Sequence, residues 1–150
     1  MKVGDRVPAF QLFDQHGELF SLEAVVGTGP LVIFFYPKDE TVVCTQEACS
    51  FRDANQDFVA AGATVVGISS DDVASHQRFA AKHRLNYRLL ADVGGKVRAR
   101  LQVARSFFGL SDGRVTYVID KGGVVRMVHQ AALSAQVHVD QAIAVIQSLH

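Results

Sequence analysis

The sequence lacks a long apolar segment and a net charge. No stretch approaches the ~20 apolar residues of a membrane-spanning helix, and residues 1–8 contain no apolar run of signal-peptide length. Lysine plus arginine and aspartate plus glutamate number 15 each, so charge alone predicts no nucleic-acid or acidic-surface partner. We therefore expect a soluble, cytoplasmic protein with no membrane and no nucleic-acid partner.

Cysteine is also scarce, since the 150 residues contain only Cys44 and Cys49. Two cysteines do not form a disulfide scaffold in a domain of this size, and a four-ligand structural zinc site would need partners that the local sequence lacks. The six histidines show no metal-ligand spacing with nearby donors, and we interpret them as solvated or packing residues. A redox pair is the better use of the two thiols.

The segment before the cysteines predicts their surroundings. Residues 31–36 form a continuous apolar and aromatic run, typical of a central strand buried on both faces, and Pro37 ends it because proline has no N–H for a ladder. Helical spacing follows, since Ala48, Phe51, Asn55 and Phe58 share one face with Cys44. Cys44 is thus predicted in the first turn of a helix, where unpaired N–H groups and the helix dipole stabilise a thiolate.

Cys49 lies five residues after Cys44. In an unbroken helix their Cα atoms would be about 8 to 9 Å apart, from the rise and rotation per residue. A disulfide rarely tolerates more than about 7 Å. If the two sulfurs bond, the first turn and a half of the helix must unwind.

The rest of the chain alternates between strand and helix patterns. An N-terminal hairpin is expected within residues 7–22, and further strands at 63–68, 87–90, 115–119 and 124–128. Helices are expected at 73–84, at 94–101 and after a capping Ser134. This order predicts one α/β domain over residues 1–150, with parallel neighbours and an antiparallel hairpin around residues 120–123. Glu47 is interpreted as a first-turn helix charge, and Asp71 with Asp72 as a helix start.

The cysteine segment resembles the peroxiredoxins, and in particular the bacterioferritin comigratory protein or PrxQ-like branch. The resemblance rests on Phe35-Tyr36-Pro37-Lys38-Asp39, Thr41, Cys44-Thr45, Glu47-Ala48-Cys49 and Phe51-Arg52-Asp53. It extends through residues 66–69 and 89–92 to residues 114–120, and so covers nearly the whole chain. The resemblance implies a thioredoxin-like fold, with a mixed central sheet flanked by helices and an N-terminal β-hairpin extension.

The resemblance also implies roles for five residues. Cys44 would be the peroxidatic cysteine and Cys49 the resolving one. Thr41 would hydrogen-bond the thiolate and the peroxide, Pro37 would shield the pocket, and Arg114 would hold the thiolate and polarise the peroxide. The implied enzyme is a monomeric, thioredoxin-dependent peroxidase that takes hydrogen peroxide and organic hydroperoxides and needs no metal or organic cofactor.

One departure and three alternatives accompany this interpretation. The branch usually has Pro-Gly where this chain has Val42-Val43, two β-branched residues that accept fewer backbone conformations. The same disulfide could serve a peroxide-sensing regulatory protein with slow turnover. A thioredoxin-like oxidoreductase is disfavoured, because such proteins use Cys-x-x-Cys. Without the surrounding motif, two buried structural cysteines would be an equally good interpretation.

Overall fold

The computed structural model of the chain describes residues 1–103, 105–106, 111–112, 114–130 and 135–149. Within these residues the strands are β1 (Gln11–Asp14), β2 (Leu19–Ser21), β3 (Leu31–Phe35), β4 (Thr64–Ser69), β5 (Arg88–Ala91), β6 (Arg105–Ser106), β7 (Ser111–Asp112), β8 (Val115–Ile119) and β9 (Val125–Gln130). The helices are α1 (Leu22–Val25), α2 (Val42–Ala60), α3 (Val73–His83), α4 (Lys96–Arg100) and α5 (Ala135–Ser148). None of these helices combines the length and apolar character needed to cross a bilayer.

A mixed sheet of seven strands in the order β2-β1-β5-β4-β3-β8-β9 forms the centre of the fold. The three middle strands β3, β4 and β5 run parallel, as the alternation of strands and helices predicted. The N-terminal hairpin of β1 and β2 adds to one side in antiparallel pairing, and the β8–β9 hairpin adds to the other. Strands β6 and β7 form a separate two-stranded sheet.

Strand β3 is buried along its whole length because both faces of the sheet are covered. Successive side chains of a strand point to opposite faces, so Val32 and Phe34 join one apolar core while Ile33 joins the other. The first core packs α2, α3 and α5, and the second packs α1 and α4 with the N-terminal residues. Gly67 of β4 allows this packing, since a Cβ there would lie 2.6 Å from the Phe34 ring.

The predicted elements are confirmed with small shifts of their ends. Helix α3 ends at His83 because Arg84 adopts a left-handed backbone with φ of 52°. Helix α4 is shorter than the predicted 94–101, and α1 was not predicted at all. The proposed cap Ser134 lies outside the described residues. Strand β3 leads through a short loop directly into α2, the helix that carries both cysteines.

Candidate functional site

Cys44 is the third residue of α2 and is buried, with 1% of its surface exposed. Thr41 precedes the helix in an extended conformation and its carbonyl accepts the Thr45 N–H at 2.8 Å. The sulfur therefore lies beside the first turn, whose N–H groups lack intrahelical partners and stabilise an anion. This location agrees with the one predicted from the sequence.

Arg114, which comes directly before β8, reaches the same point from the sheet. Its Nη2 donates to Cys44 Sγ at 3.1 Å, and its Nη1 donates to Glu47 Oε1 at 3.2 Å. Only 8% of the Arg114 side chain is exposed. The fold thus brings together two residues that are 70 positions apart in the sequence, and sets a permanent cation against the thiol.

Glu47 has no exposed surface, and the interpretation as a first-turn charge is wrong. Because α2 begins at Val42, Glu47 is the sixth helical residue and faces the interior, where it pairs with Arg114. Burial raises the pKa of Glu47 to about 7, although the charge and hydrogen bond of Arg114 pull it down. The sequence carries no local signal for this, since the partner lies 67 residues away.

A histidine of α5 faces the other oxygen of this carboxylate. His138 is fully buried, and its Nδ1 lies 3.7 Å from Glu47 Oε2 and 2.6 Å from Thr116 Oγ1. The His129 ring packs edge-on against it, with centroids 4.4 Å apart. A buried polar chain therefore runs from Cys44 through Arg114 and Glu47 to α5, and of the two interpretations given for the histidines, solvated or packing, His138 fits the second.

The titration of Glu47 gives a testable dependence of stability on pH. Its pKa is raised from the ordinary 4.5, so the folded protein holds this proton more tightly than the unfolded chain. That contribution to stability is complete below about pH 4.5 and is lost as the pH rises through about 7. We expect Glu47→Gln, which keeps an acceptor for Arg114 but cannot ionise, to remove a fall of up to about 3 kcal/mol between pH 5 and pH 8.

The measurement is the free energy of unfolding in urea for wild type and Glu47→Gln at both pH values. The matched control is Asp39→Asn, where the sign is opposite. Burial would raise the pKa of Asp39, but hydrogen bonds from His76, Tyr36 and Ser75 hold it below its usual range, so its contribution is lost only as the pH falls. Equal slopes for wild type and Glu47→Gln between pH 5 and pH 8 would contradict a raised Glu47 pKa.

Hydrogen bonds of Asp39 fix the loop between β3 and α2. Its carboxylate accepts the Tyr36 hydroxyl at 2.6 Å and faces His76 Nδ1 at 2.7 Å, while its N–H donates to Asp71 Oδ2 at 2.8 Å. Asp39, Asp71 and His76 bring ligand atoms close enough for a cation, but hydrogen bonds already engage these atoms. We interpret the group as a scaffold that positions the loop, which the sequence did not indicate.

Among the described contacts, no hydrogen bond joins Thr41 or Pro37 to the Cys44 sulfur. The Thr41 hydroxyl is exposed and donates to the Lys38 carbonyl at 3.1 Å. Pro37 is half-buried and follows Tyr36, whose N–H makes a 3.1 Å bond to Ile68 O at the end of the strand. Val42, which occupies the first helical position and stands where the PrxQ-like branch usually has the proline of its Pro-Gly pair, is 74% exposed.

Cys49 lies farther along the unbroken helix and is half-buried. Both cysteines are free thiols in this conformation, with Arg52 Nη1 3.6 Å from Cys49 Sγ. The geometry therefore presents one buried thiol against the Arg114 guanidinium and a second, half-buried thiol near Arg52.

Comparisons with known proteins agree on one relationship. Residues 3–128 match the model of the AhpC/TSA family. A chloroplastic peroxiredoxin Q of Populus jackii is 46% identical over 146 residues, which cover 97% of this chain and 68% of the relative. Peroxidoxin BcpB of Mycobacterium tuberculosis superposes with a TM-score of 0.92 at 39% identity, covering 100% of this chain and 99% of that one.

A further solved relative is the Xanthomonas campestris bacterioferritin comigratory protein, at 29% identity and a TM-score of 0.85. Its match covers 93% of this chain and 91% of that one, and its structure was described for alkyl peroxide reduction by that protein. These likenesses confirm the thioredoxin-like fold with its mixed sheet.

Proposed function

The chain belongs to the AhpC/TSA family and, within it, to the PrxQ-like peroxiredoxins, and we propose that it is a thiol peroxidase for hydrogen peroxide and organic hydroperoxides. The observation that carries the proposal is the 3.1 Å contact of Arg114 Nη2 with Cys44 Sγ at a helix N-terminus. A guanidinium does not lose its proton in proteins, so it favours the thiolate, which is the nucleophilic form of cysteine.

The first step is attack of the Cys44 thiolate on one peroxide oxygen. The O–O bond breaks, the sulfur becomes a sulfenic acid, and the departing oxygen takes a proton and leaves as water or alcohol. Negative charge moves from sulfur to the leaving oxygen, where donors of Arg114 and the helix N-terminus stabilise it. The Thr41 hydroxyl can rotate from Lys38 O to the bound peroxide, and Pro37 would shield the bound peroxide, as the resemblance implies.

The second step joins the two cysteines. Cys49 attacks the Cys44 sulfenic acid, the S–O bond breaks, and a disulfide forms with release of water. The intact α2 keeps the two Cα atoms about 8 to 9 Å apart, so its first turn and a half must unwind. Reduction of the disulfide by a dithiol protein of the thioredoxin type would return both thiols.

We further propose that residues 1–150 act as a single domain and as a monomer, with no metal or organic cofactor. Relatives from plants carry names that place those proteins in the chloroplast. These names lend no support to the cytoplasmic location expected for this chain, which stays a prediction.

The experiment that tests this function is the intact mass of fully reduced protein after one equivalent of hydrogen peroxide. We expect the wild type to lose two hydrogens, and a Cys49→Ser variant to yield a trapped sulfenic-acid adduct at Cys44. An unchanged mass would mean that Cys44 is not activated. Peroxide consumption with thioredoxin and its reductase then separates a peroxidase, which turns over continuously, from a sensor, which stops after one oxidation.

A further inference from the structure

The fixed part of α2 begins immediately after Cys49. The ring of Phe51 stacks on Phe34 with centroids 4.4 Å apart and lies fully inside the core. Asn55 donates to the Asn86 carbonyl at 3.1 Å, and Asn86 donates back to the Arg52 carbonyl at 3.2 Å. Unwinding of α2 therefore stops before Phe51, because going farther would expose this ring and break these bonds.

Arg52 projects from that fixed part toward the second thiol. Its Nη1 donates to the His83 carbonyl at 2.6 Å, and the same nitrogen lies 3.6 Å from Cys49 Sγ. Its Nε and Nη2 each lie 2.9 Å from Asp53 Oδ1, on a carboxylate that is 71% exposed. The guanidinium is thus anchored at the C-terminal end of α3, and its position does not depend on the segment of α2 that must unwind.

We propose that Arg52 is a catalytic residue of the resolving step, one that holds Cys49 as the thiolate that attacks the Cys44 sulfenic acid. The inference rests on the proposed peroxidase cycle and assigns its second step a cation of its own. Arg114 is committed to the first step, since its two terminal nitrogens, Nη1 and Nη2, contact Glu47 and Cys44. Each cysteine then has its own arginine, Arg114 beside Cys44 and Arg52 beside Cys49.

The chemistry of the step needs such a group. A thiolate and not a thiol attacks the sulfenic sulfur, and the S–O bond breaks as the S–S bond forms. The departing hydroxide takes the proton that Cys49 gave up, so the step releases water and balances without an external oxidant. A cation 3.6 Å from Cys49 Sγ is in place to hold the thiolate before attack.

The test compares wild type with Arg52→Met, which removes the charge and keeps an unbranched stem. Reduced protein is mixed with hydrogen peroxide and quenched at intervals with a thiol-blocking reagent. Intact-protein mass spectrometry of each sample then measures the sulfenic acid and the disulfide separately. We expect formation of the sulfenic acid to be unchanged and formation of the disulfide to slow about tenfold at pH 7. In excess peroxide the longer-lived sulfenic acid should yield more sulfinic acid.

The pH profile distinguishes charge from structure. If Arg52 stabilises the thiolate, the difference in the rate of disulfide formation between wild type and Arg52→Met shrinks as the pH rises toward 9. At that pH the Cys49 thiol loses its proton without help from a cation. Arg78→Met, at an exposed arginine of α3, is the matched control and should match wild type. A disulfide phase in Arg52→Met that is unchanged, faster, or slowed equally at every pH would overturn the proposal. Wild type that forms no disulfide would instead refute the proposed cycle.

Discussion

Cys44→Ser should abolish peroxide consumption, lowering the rate by at least about 10³-fold. A serine hydroxyl stays protonated at neutral pH, so the cation of Arg114 has no anion to hold and a peroxide bound beside it meets no nucleophile. Cys49 cannot take its place, because Arg114 and the helix N-terminus both face the Cys44 position. The measurement is peroxide loss with thioredoxin and thioredoxin reductase in excess.

The control for this variant is Cys49→Ser, which removes the other thiol at a similar cost in volume. It should react once with peroxide at the wild-type rate and then stop at the sulfenic acid. Both variants should keep the wild-type circular dichroism spectrum, since sulfur and oxygen differ little in size. Normal turnover in Cys44→Ser would refute the assignment of the nucleophile.

The location of Cys44 could be predicted because its signals are local. An uninterrupted apolar run gives the buried strand β3, the change to helical spacing gives α2, and Pro37 marks the boundary between them. Nothing more distant is needed to put Cys44 in the first turn. The order of the strands is less accessible, since the pairing of Leu31 in β3 with Ile119 in β8 joins distant parts of the chain.

The polar interior could not be predicted, because each buried charge depends on a partner from another element. The local sequence around Glu47 does not distinguish it from an exposed helix glutamate. Its burial follows from Arg114 and His138, which lie beside it only in the folded chain. His76 looks like a surface residue of α3 until Asp39 and the Leu90 carbonyl occupy its two nitrogens. A hydrophobic pattern shows which face of a helix is buried but not which polar group will find a partner there.

Arg114→Met should lower the rate constant of Cys44 with peroxide by about 10²–10³-fold, the usual cost of removing one preorganised donor from a transition state. The variant loses both the cation that favours the thiolate and the donor that meets the leaving oxygen. Arg114→Lys should recover only part of the rate, because an ammonium lacks the planar fork that here reaches Cys44 Sγ and Glu47 Oε1 together. The measurement is single-turnover sulfenic-acid formation in the Cys49→Ser background.

A second consequence of Arg114→Met must be separated from this one. Removing the arginine takes away the charge that lowers the pKa of Glu47, so the buried carboxyl either stays charged without a partner or binds a proton. Where it stays charged, breaking the buried pair costs about 3–5 kcal/mol of stability. The double variant Glu47→Gln/Arg114→Met removes the stranded carboxylate as well, so its unfolding free energy should return toward the wild-type value. If the rate returned with it, Arg114 would act only through stability. We expect the rate to stay low, because the missing donor belongs to the transition state and the amide introduced by Glu47→Gln cannot replace it.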